Sequence, residues 1–535
     1  MNRAEAVSRL NGSYDVLVVG GGATGLGVAV DSATRGYRTL LVTSGDFSQA
    51  TSSRSTKLIH GGVRYLERGD IKLVREALRE RGLLVHNAPH LVHDLRFLIP
   101  VYAWWQIAYY GAGLKAYDVL AGRLNLAPSR PVSRRGARAL VPTIRTQGLK
   151  GGIAYSDGQF NDSRLAMALL RTAQRHGAVA VNYAEVTRLN KSGGNVSGAE
   201  VLDQQTGEVR TVEARVVVNA TGIFTDRIRH MDDPTAVPII ACSQGTHIVL
   251  DRSFLPGDAA ILVPRTSDGR VVFIIPWEGR TLVGTTDIPV DRPEMEPIPS
   301  EEEIAFLLRH AALYLSRAPR REDVLSAFAG LRPLVRGTAA STAQLSRDHT
   351  LLVSQSGLVT VTGGKWTTYR LMAQDAVTRA AEVGGLPAGP CVTQNLRLDG
   401  ADATNPRWKE LGANDAEIKE YEARYPEPIH ERLPYSFAMA AYVIDREMPV
   451  ELDDVLSRRL RALMLDAEAS VEAAPRVVRL MAEQQGHDEA WANRQLERYR
   501  VLASQYGLGR LPAIPPGAPL SAAATPQQSP SSLPD

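Results

Sequence analysis

The sequence predicts an α/β protein that opens with a βαβ unit, carries an antiparallel sheet in its middle and ends in helices. Three observations predict this. Tyr14 to Val19, "YDVLVV", is a continuous apolar run leading into "GGGATGLG", as expected of a buried parallel strand turning tightly into a helix. Between His247 and Asp287 apolar residues alternate with polar ones around the turn formers "SDG" and "EGR", the pattern of antiparallel hairpins. Beyond Cys391 the chain is mostly charged, amphipathic helix, expected to form a separate lobe.

Taken in order, the first strand is followed by a helix from about Thr24 to Arg35, stopped by Gly36, and by a second strand, "YRTLLV", ending at Val42. Asp70 is placed to cap a helix running to about Asn87 and ended by Pro89, and Asn161 or Asp162 to cap another closed by Gly177. From Ala178 to Gly222 short strands alternate with turns such as "KSGGN" and "QTGE" and finish on "ARVVVNATG". "LVTVTGGKWTTYRLMAQDAVTRAAEVGG" returns to strand, glycines and helix, and the last 25 residues, rich in Pro, Ala and Ser, predict a disordered tail over 511–535.

The 535 residues exceed what one core usually organises, so two or three domains are expected. With 44% apolar residues, 22% charged residues and a net charge of +3, nothing marks nucleic acid as a partner. Cys242 and Cys391 lie far apart, so neither a disulfide framework nor a metal site is suggested. No signal peptide is visible in "MNRAEAVSRLNGS". The longest apolar run, Phe97 to Leu114, contains Pro100, Gln106 and two glycines and carries its aromatics centrally. Spanning helices keep aromatics at their ends, so this run reads either as a helix lying on a bilayer or as one buried against its own domain.

Gly20, Gly22 and Gly25 satisfy G-x-G-x-x-G directly after a strand and at the start of a helix, the context of a dinucleotide-binding turn. There the missing side chains let a pyrophosphate approach the backbone, and the helix N-terminus offers unpaired N–H groups. The acidic residue that normally ends the second strand and binds ribose is replaced by Thr43, with Asp46 three residues on. A neutral Thr hydrogen bond is weaker than a carboxylate's by roughly 1 kcal/mol, so weaker cofactor binding is expected.

"TSSRSTKLIHGGVRYLE", with "GGGATGLG" before it and "AGLRPL" and "GGKWTTYR" after it, resembles the FAD-dependent glycerol-3-phosphate dehydrogenases of the membrane-associated respiratory type. The resemblance runs from Tyr14 past Arg370 and more loosely through the helical C-terminal region. It implies an FAD-binding Rossmann-like domain of the glutathione-reductase-like or D-amino-acid-oxidase-like kind over 1–90, 150–235 and 330–390. It further implies a substrate-binding, membrane-facing domain over 91–149 and 236–329, and a helical domain over 391–510. By resemblance Thr51, Ser52, Ser53, Lys57, Leu58, His60, Gly61 and Gly62 lie along the flavin, with Gly222, Gly363, Gly364, Lys365 and Thr367 also near it. Family members usually follow the glycine of "NATG" with Pro or Val and then Trp; Ile223 and Phe224 stand there and read as a packing change.

The implied substrate is sn-glycerol 3-phosphate, whose dianionic phosphate needs fixed cations. Arg64, Tyr65, Arg332 and Lys365 are the matching positions. His247 in "QGTHIVL" is the expected base for the C2 hydroxyl, with His60 as its rival. The resemblance also implies dihydroxyacetone phosphate as product, a membrane quinone as electron acceptor, peripheral attachment to the inner face of the cytoplasmic membrane and a possible homodimer. An oxidase using oxygen, or a flavin-binding protein without turnover, are the alternatives.

Overall fold

The computed structural model describes residues 1–264, 266, 269–336 and 348–509; the side chains of residues 64, 67 and 68 fall outside that description. The expected tail over 511–535 and two residues of the "SDG" turn also lie outside the described residues.

Two sheets organise the chain. In the first, Ser13–Val19 sits between Thr39–Val42 and Val209–Asn219, parallel to both, and Val359–Gly363 extends the parallel order beyond Val209–Asn219. Val16, Leu17 and Val18 are fully buried because helices cover this sheet. Ala23–Thr34 is the helix behind the glycine turn, and it packs on Asp162–Arg175 and Tyr369–Val383. Gly25 permits this approach: a Cβ there would stand 1.8 Å from the Gly20 carbonyl oxygen. Both expected caps form. The Asp70 carboxylate accepts from Leu73 N at the start of Ile71–Asn87, and Asn161 accepts from Arg164 N, each such bond being worth about 1 kcal/mol.

The second sheet has ten strands and centres on the Ile240–Asp251 and Val324–Val335 pair, in which Ser243 faces Arg332 and His247 faces Phe328. Val272–Trp277 and Arg280–Gly284 form the expected "EGR" hairpin. Gly151–Phe160 also belongs to this sheet, paired along its length with Val92–Val101, although the sequence placed residues 150–160 with the cofactor domain. All ten of its positions are buried, which fits a strand between two neighbours and covered on both faces better than the edge of another domain.

Two further expectations change. The Phe97–Leu114 run is not one helix: it ends the Val92–Val101 strand, and Trp105–Ala121 begins after a turn in which Gln106 Oε1 accepts from Tyr102 N and Ala103 N, both at 3.0 Å. Pairing with Gly151–Phe160 holds the apolar first part as strand. The C-terminal region, expected as a separate lobe, is a helical domain packed directly on the second sheet. Helices Asp415–Arg424, Phe437–Arg446, Ala467–Gln485 and Glu489–Tyr506 share one hydrophobic core with Phe97, Tyr155, Trp277 and Phe328 of the second sheet. Their apolar faces were visible in sequence, but not which surface they cover. No helix among the described residues is long and apolar enough to cross a membrane.

Candidate active site

Two clefts meet between the sheets. The first, about 1340 Å³, runs over the end of the parallel sheet. Gly20, Gly22, Thr43, Thr51, Ser52, Gly222, Gly363, Gly364 and Lys365 line it, so nine of the expected cofactor positions share one surface. Gly25 lies beneath, against Gly20. The Ser52 hydroxyl accepts from Ala23 N at 2.9 Å and the Trp366 indole donates to Ser52 O at 2.8 Å, tying the hydroxyl-rich loop to both glycine turns. Gly363 and Gly364 both have positive φ, 76° and 69°, and the regular helix starts only at Tyr369 after a short 3-10 turn. Ile223 is buried against Ile240 and Leu331, as a packing change would be.

The residues present fit FAD. The floor is bare backbone where side chains would obstruct: a Cβ at Gly22 would stand 3.0 Å from the Ser52 hydroxyl, and the missing side chains let a pyrophosphate approach the main chain. At the adenosine end Thr43 stands where an acid is usual. Asp46 cannot replace it: Arg459 Nη2 and Arg458 Nε donate to its two oxygens at 2.8 and 2.6 Å. Burial alone would raise the Asp46 carboxyl, but these guanidiniums prevail and hold it down to about 2. A second carboxylate at this end is Glu185, paired with Arg227 and bonded to Gln204 Nε2 at 2.9 Å.

The second cleft shares Thr51, Pro333, Gly364, Lys365 and Trp366 with the first, so the two adjoin along this wall. Leu58, His60, Tyr65, His247, Arg332 and Thr367 line it as well. Lys365 Nζ sits 4.0 Å from the centre of the Tyr65 ring. Arg332 is oriented by Asp287 at 3.4 Å, Thr285 Oγ1 at 3.2 Å and Thr286 O at 3.1 Å. The backbone of Arg64 lies in the Val63–Arg68 turn nearby, but its side chain falls outside the described residues.

His247 is 2% exposed, its ring stacked on Phe328 at 5.0 Å and its Nε2 2.9 Å from Thr56 Oγ1. Burial, and then the cations Lys57 and Arg332, hold its imidazole well below the usual range. It is therefore neutral at physiological pH, the form that accepts a proton.

Besides Gly25, four expected cofactor residues line neither cleft. Lys57 Nζ is buried, donating to Ser53 O at 2.9 Å and Asp162 Oδ2 at 2.7 Å; burial lowers its ammonium to about 7 against the pull of Asp162. Ser53 is buried beside it. Gly61 N donates to the Tyr117 hydroxyl at 2.8 Å, and Gly62, at φ 76°, lies under the Tyr65 ring. These residues shape the loop from behind. Arg54, not anticipated from sequence, lines the second cleft, kept charged despite its burial by Glu296. The signal was present, an Arg amid the hydroxyls of "TSSRST", but nothing local tells a cleft-facing arginine from a surface one.

The chain matches the family model of FAD dependent oxidoreductases over residues 15–370 and that of the C-terminal domain of alpha-glycerophosphate oxidase over 410–492. It is 43% identical to a probable mitochondrial glycerol-3-phosphate dehydrogenase of Caenorhabditis elegans, with 91% of this chain and 73% of the relative covered. To the human mitochondrial glycerol-3-phosphate dehydrogenase it is 42% identical, with 91% and 72% covered. Among solved structures, the glycerol-3-phosphate dehydrogenase of Bacillus halodurans complexed with FAD superposes with a TM-score of 0.78 at 28% identity, over 96% of this chain and 99% of that one. The L-alpha-glycerophosphate oxidase of Mycoplasma pneumoniae, 18% identical with a TM-score of 0.57 over 69% and 95% of the two chains, shares the fold. The oxidoreductase region and the C-terminal domain thus match along one chain, and the chain belongs to the family of FAD-dependent glycerol-3-phosphate dehydrogenases.

Proposed function

We propose that this chain oxidises sn-glycerol 3-phosphate at C2 to dihydroxyacetone phosphate and passes the electrons to a membrane quinone. The observation that carries the reading is the grouping of Arg332 and Lys365 around one cleft with two histidines, sharing a wall with the glycine-lined cleft. Bound FAD supplies the hydride acceptor. Arg332 and Lys365 hold the phosphate, each charge-assisted hydrogen bond contributing roughly 1.5 to 3 kcal/mol. Asp287, which pairs with Arg332, fixes where that guanidinium points. With the phosphate anchored, C2 is directed to the junction near Gly364 and Trp366. His247 receives the hydroxyl proton at Nε2, with the Thr56 hydroxyl at 2.9 Å as the link to the cleft. Burial of the site excludes water from the C–H bond being broken.

Attachment to a bilayer is supported by Trp104, Trp105 and Tyr109, exposed at 67, 65 and 53%, while Leu114, Tyr117 and Ala121 of the same helical segment are buried. Aromatics of this kind favour the membrane–water boundary.

The test is anaerobic addition of glycerol 3-phosphate to the purified yellow protein. Bleaching that glycerol and lactate do not produce is the expected result; equal bleaching by all three would remove the phosphate assignment. Reoxidation by a quinone analogue without peroxide is expected for the dehydrogenase, whereas stoichiometric peroxide with no quinone dependence would replace it by an oxidase.

A further inference from the structure

The hydroxyl-rich loop over residues 46–54 has two sides. Its front, including Ser48, Gln49, Thr51 and Ser52, lines the glycine cleft. Its back is held by the C-terminal domain. Arg459 and Arg458 take both oxygens of Asp46. At the other end Arg461 Nη2 donates to Ser53 O and lies 3.3 Å from Asp162 Oδ1, and the Tyr506 hydroxyl accepts from Arg54 Nη2 at 3.2 Å. Arg458, Arg459 and Arg461 are all buried, so these are interior contacts and not a surface seam.

We propose that the C-terminal domain is a splint for this loop, with Arg458 and Arg459 positioning the adenosine end of the cofactor cleft and Tyr506 holding Arg54, whose guanidinium ties down the loop's carbonyls beside the substrate cleft. The inference rests on the reading that the two clefts take FAD and glycerol 3-phosphate. Apart from a 3-10 turn at Thr51–Ser53 the loop has no regular structure. Ordering each residue of such a loop costs backbone entropy. Fixing the loop from behind removes that cost from ligand binding and keeps the floor shaped before FAD arrives. Asp46 carries the argument at one end: a carboxylate at the cleft wall is turned into an anchor for a distant domain. Arg54 carries it at the other, since its guanidinium donates to Gln49 O and Ala50 O of the loop while Glu296 and Tyr506 hold it from behind.

Three variants test this. Arg459→Lys and Arg458→Lys keep the charge and lose the planar fork; Tyr506→Phe loses one hydroxyl. The readouts are the FAD dissociation constant from flavin fluorescence quenching, the melting temperatures of apo- and holoprotein, and KM against kcat for glycerol 3-phosphate. The expected result for either Lys variant is a dissociation constant raised about tenfold and a smaller FAD-induced rise in melting temperature. For Tyr506→Phe it is unchanged FAD binding with KM raised several-fold and kcat nearly constant. The proposal is overturned if the variants lower the apo and holo melting temperatures equally and leave FAD affinity and KM as in the parent, because the contacts would then be an interdomain staple. A failure of the substrate reading would show in the parent protein itself, leaving the FAD measurements to stand or fall separately.

Discussion

The glycine-lined cleft is walled largely by main chain and small side chains from short sequence stretches: residues 20–24, 43–52 and 361–366 supply most of it. The cationic cleft beside it is made of long side chains, with Arg54, Tyr65, His247, Arg332 and Lys365 arriving from separate parts of the chain. Backbone determines the first, so its geometry follows from a local rule about where a Cβ can be placed. Side-chain convergence determines the second, so its geometry depends on two sheets and a C-terminal domain being correctly docked. Changes in the first cleft should therefore be felt in cofactor content, and changes in the second in substrate use.

The largest effect expected is at Arg332. Replacing it with Met removes a cation from the phosphate pocket and leaves Asp287 without that partner, which should lower kcat/KM for glycerol 3-phosphate about a hundredfold or more with flavin content intact. Loss of flavin instead would mean the two clefts are not separable. Gly25→Ala is the converse test, because its Cβ would meet the Gly20 carbonyl at 1.8 Å. Forcing helix and strand apart costs roughly 1–3 kcal/mol, and flavin per chain after purification should fall about tenfold while any holoenzyme keeps its KM.

A subtler measurement concerns the base. The neutral imidazole is the accepting form, so a pKa held below 6.5 places the acid limb of kcat/KM below that pH, with activity flat above it. Burial is the main cause of the lowering and the Lys57 ammonium the next, so Lys57→Met should move the limb up. A limb that ignores Lys57 and vanishes in His60→Gln would transfer the role to His60. The smallest effect is at Thr43, where Glu should tighten FAD several-fold, roughly 1 kcal/mol, measurable by flavin fluorescence. No change would show that the pair formed by Glu185 and Arg227 already meets the adenosine end.

How much could be read without coordinates follows from the same division. The Gly20, Gly22 and Gly25 turn, the Asp70 and Asn161 caps and the hairpin at "EGR" are each set by neighbours within a few residues, and sequence suffices for such features. Arg332 and Lys365 were legible only through a family resemblance, since a lone arginine before a proline carries no direction. Lys57 shows the limit most clearly. Its motif is as specific as its neighbours', yet its left-handed backbone at φ 62° accompanies a side chain bonded to Asp162, behind the cleft and not into it.

By itself, then, the sequence determined the βαβ opening with its glycine turn, the antiparallel hairpins and the presence of amphipathic helices after Cys391, because periodicity, caps and missing Cβ atoms act locally. Only the tertiary structure decided that Gly151–Phe160 joins the second sheet, that Arg54 shares a cleft with Arg332 and Lys365, and that Asp46 answers to Arg459 instead of a ribose. Those outcomes depend on which buried charges and apolar faces find each other across the chain, and burial in common is a property of the folded packing, not of any stretch of residues.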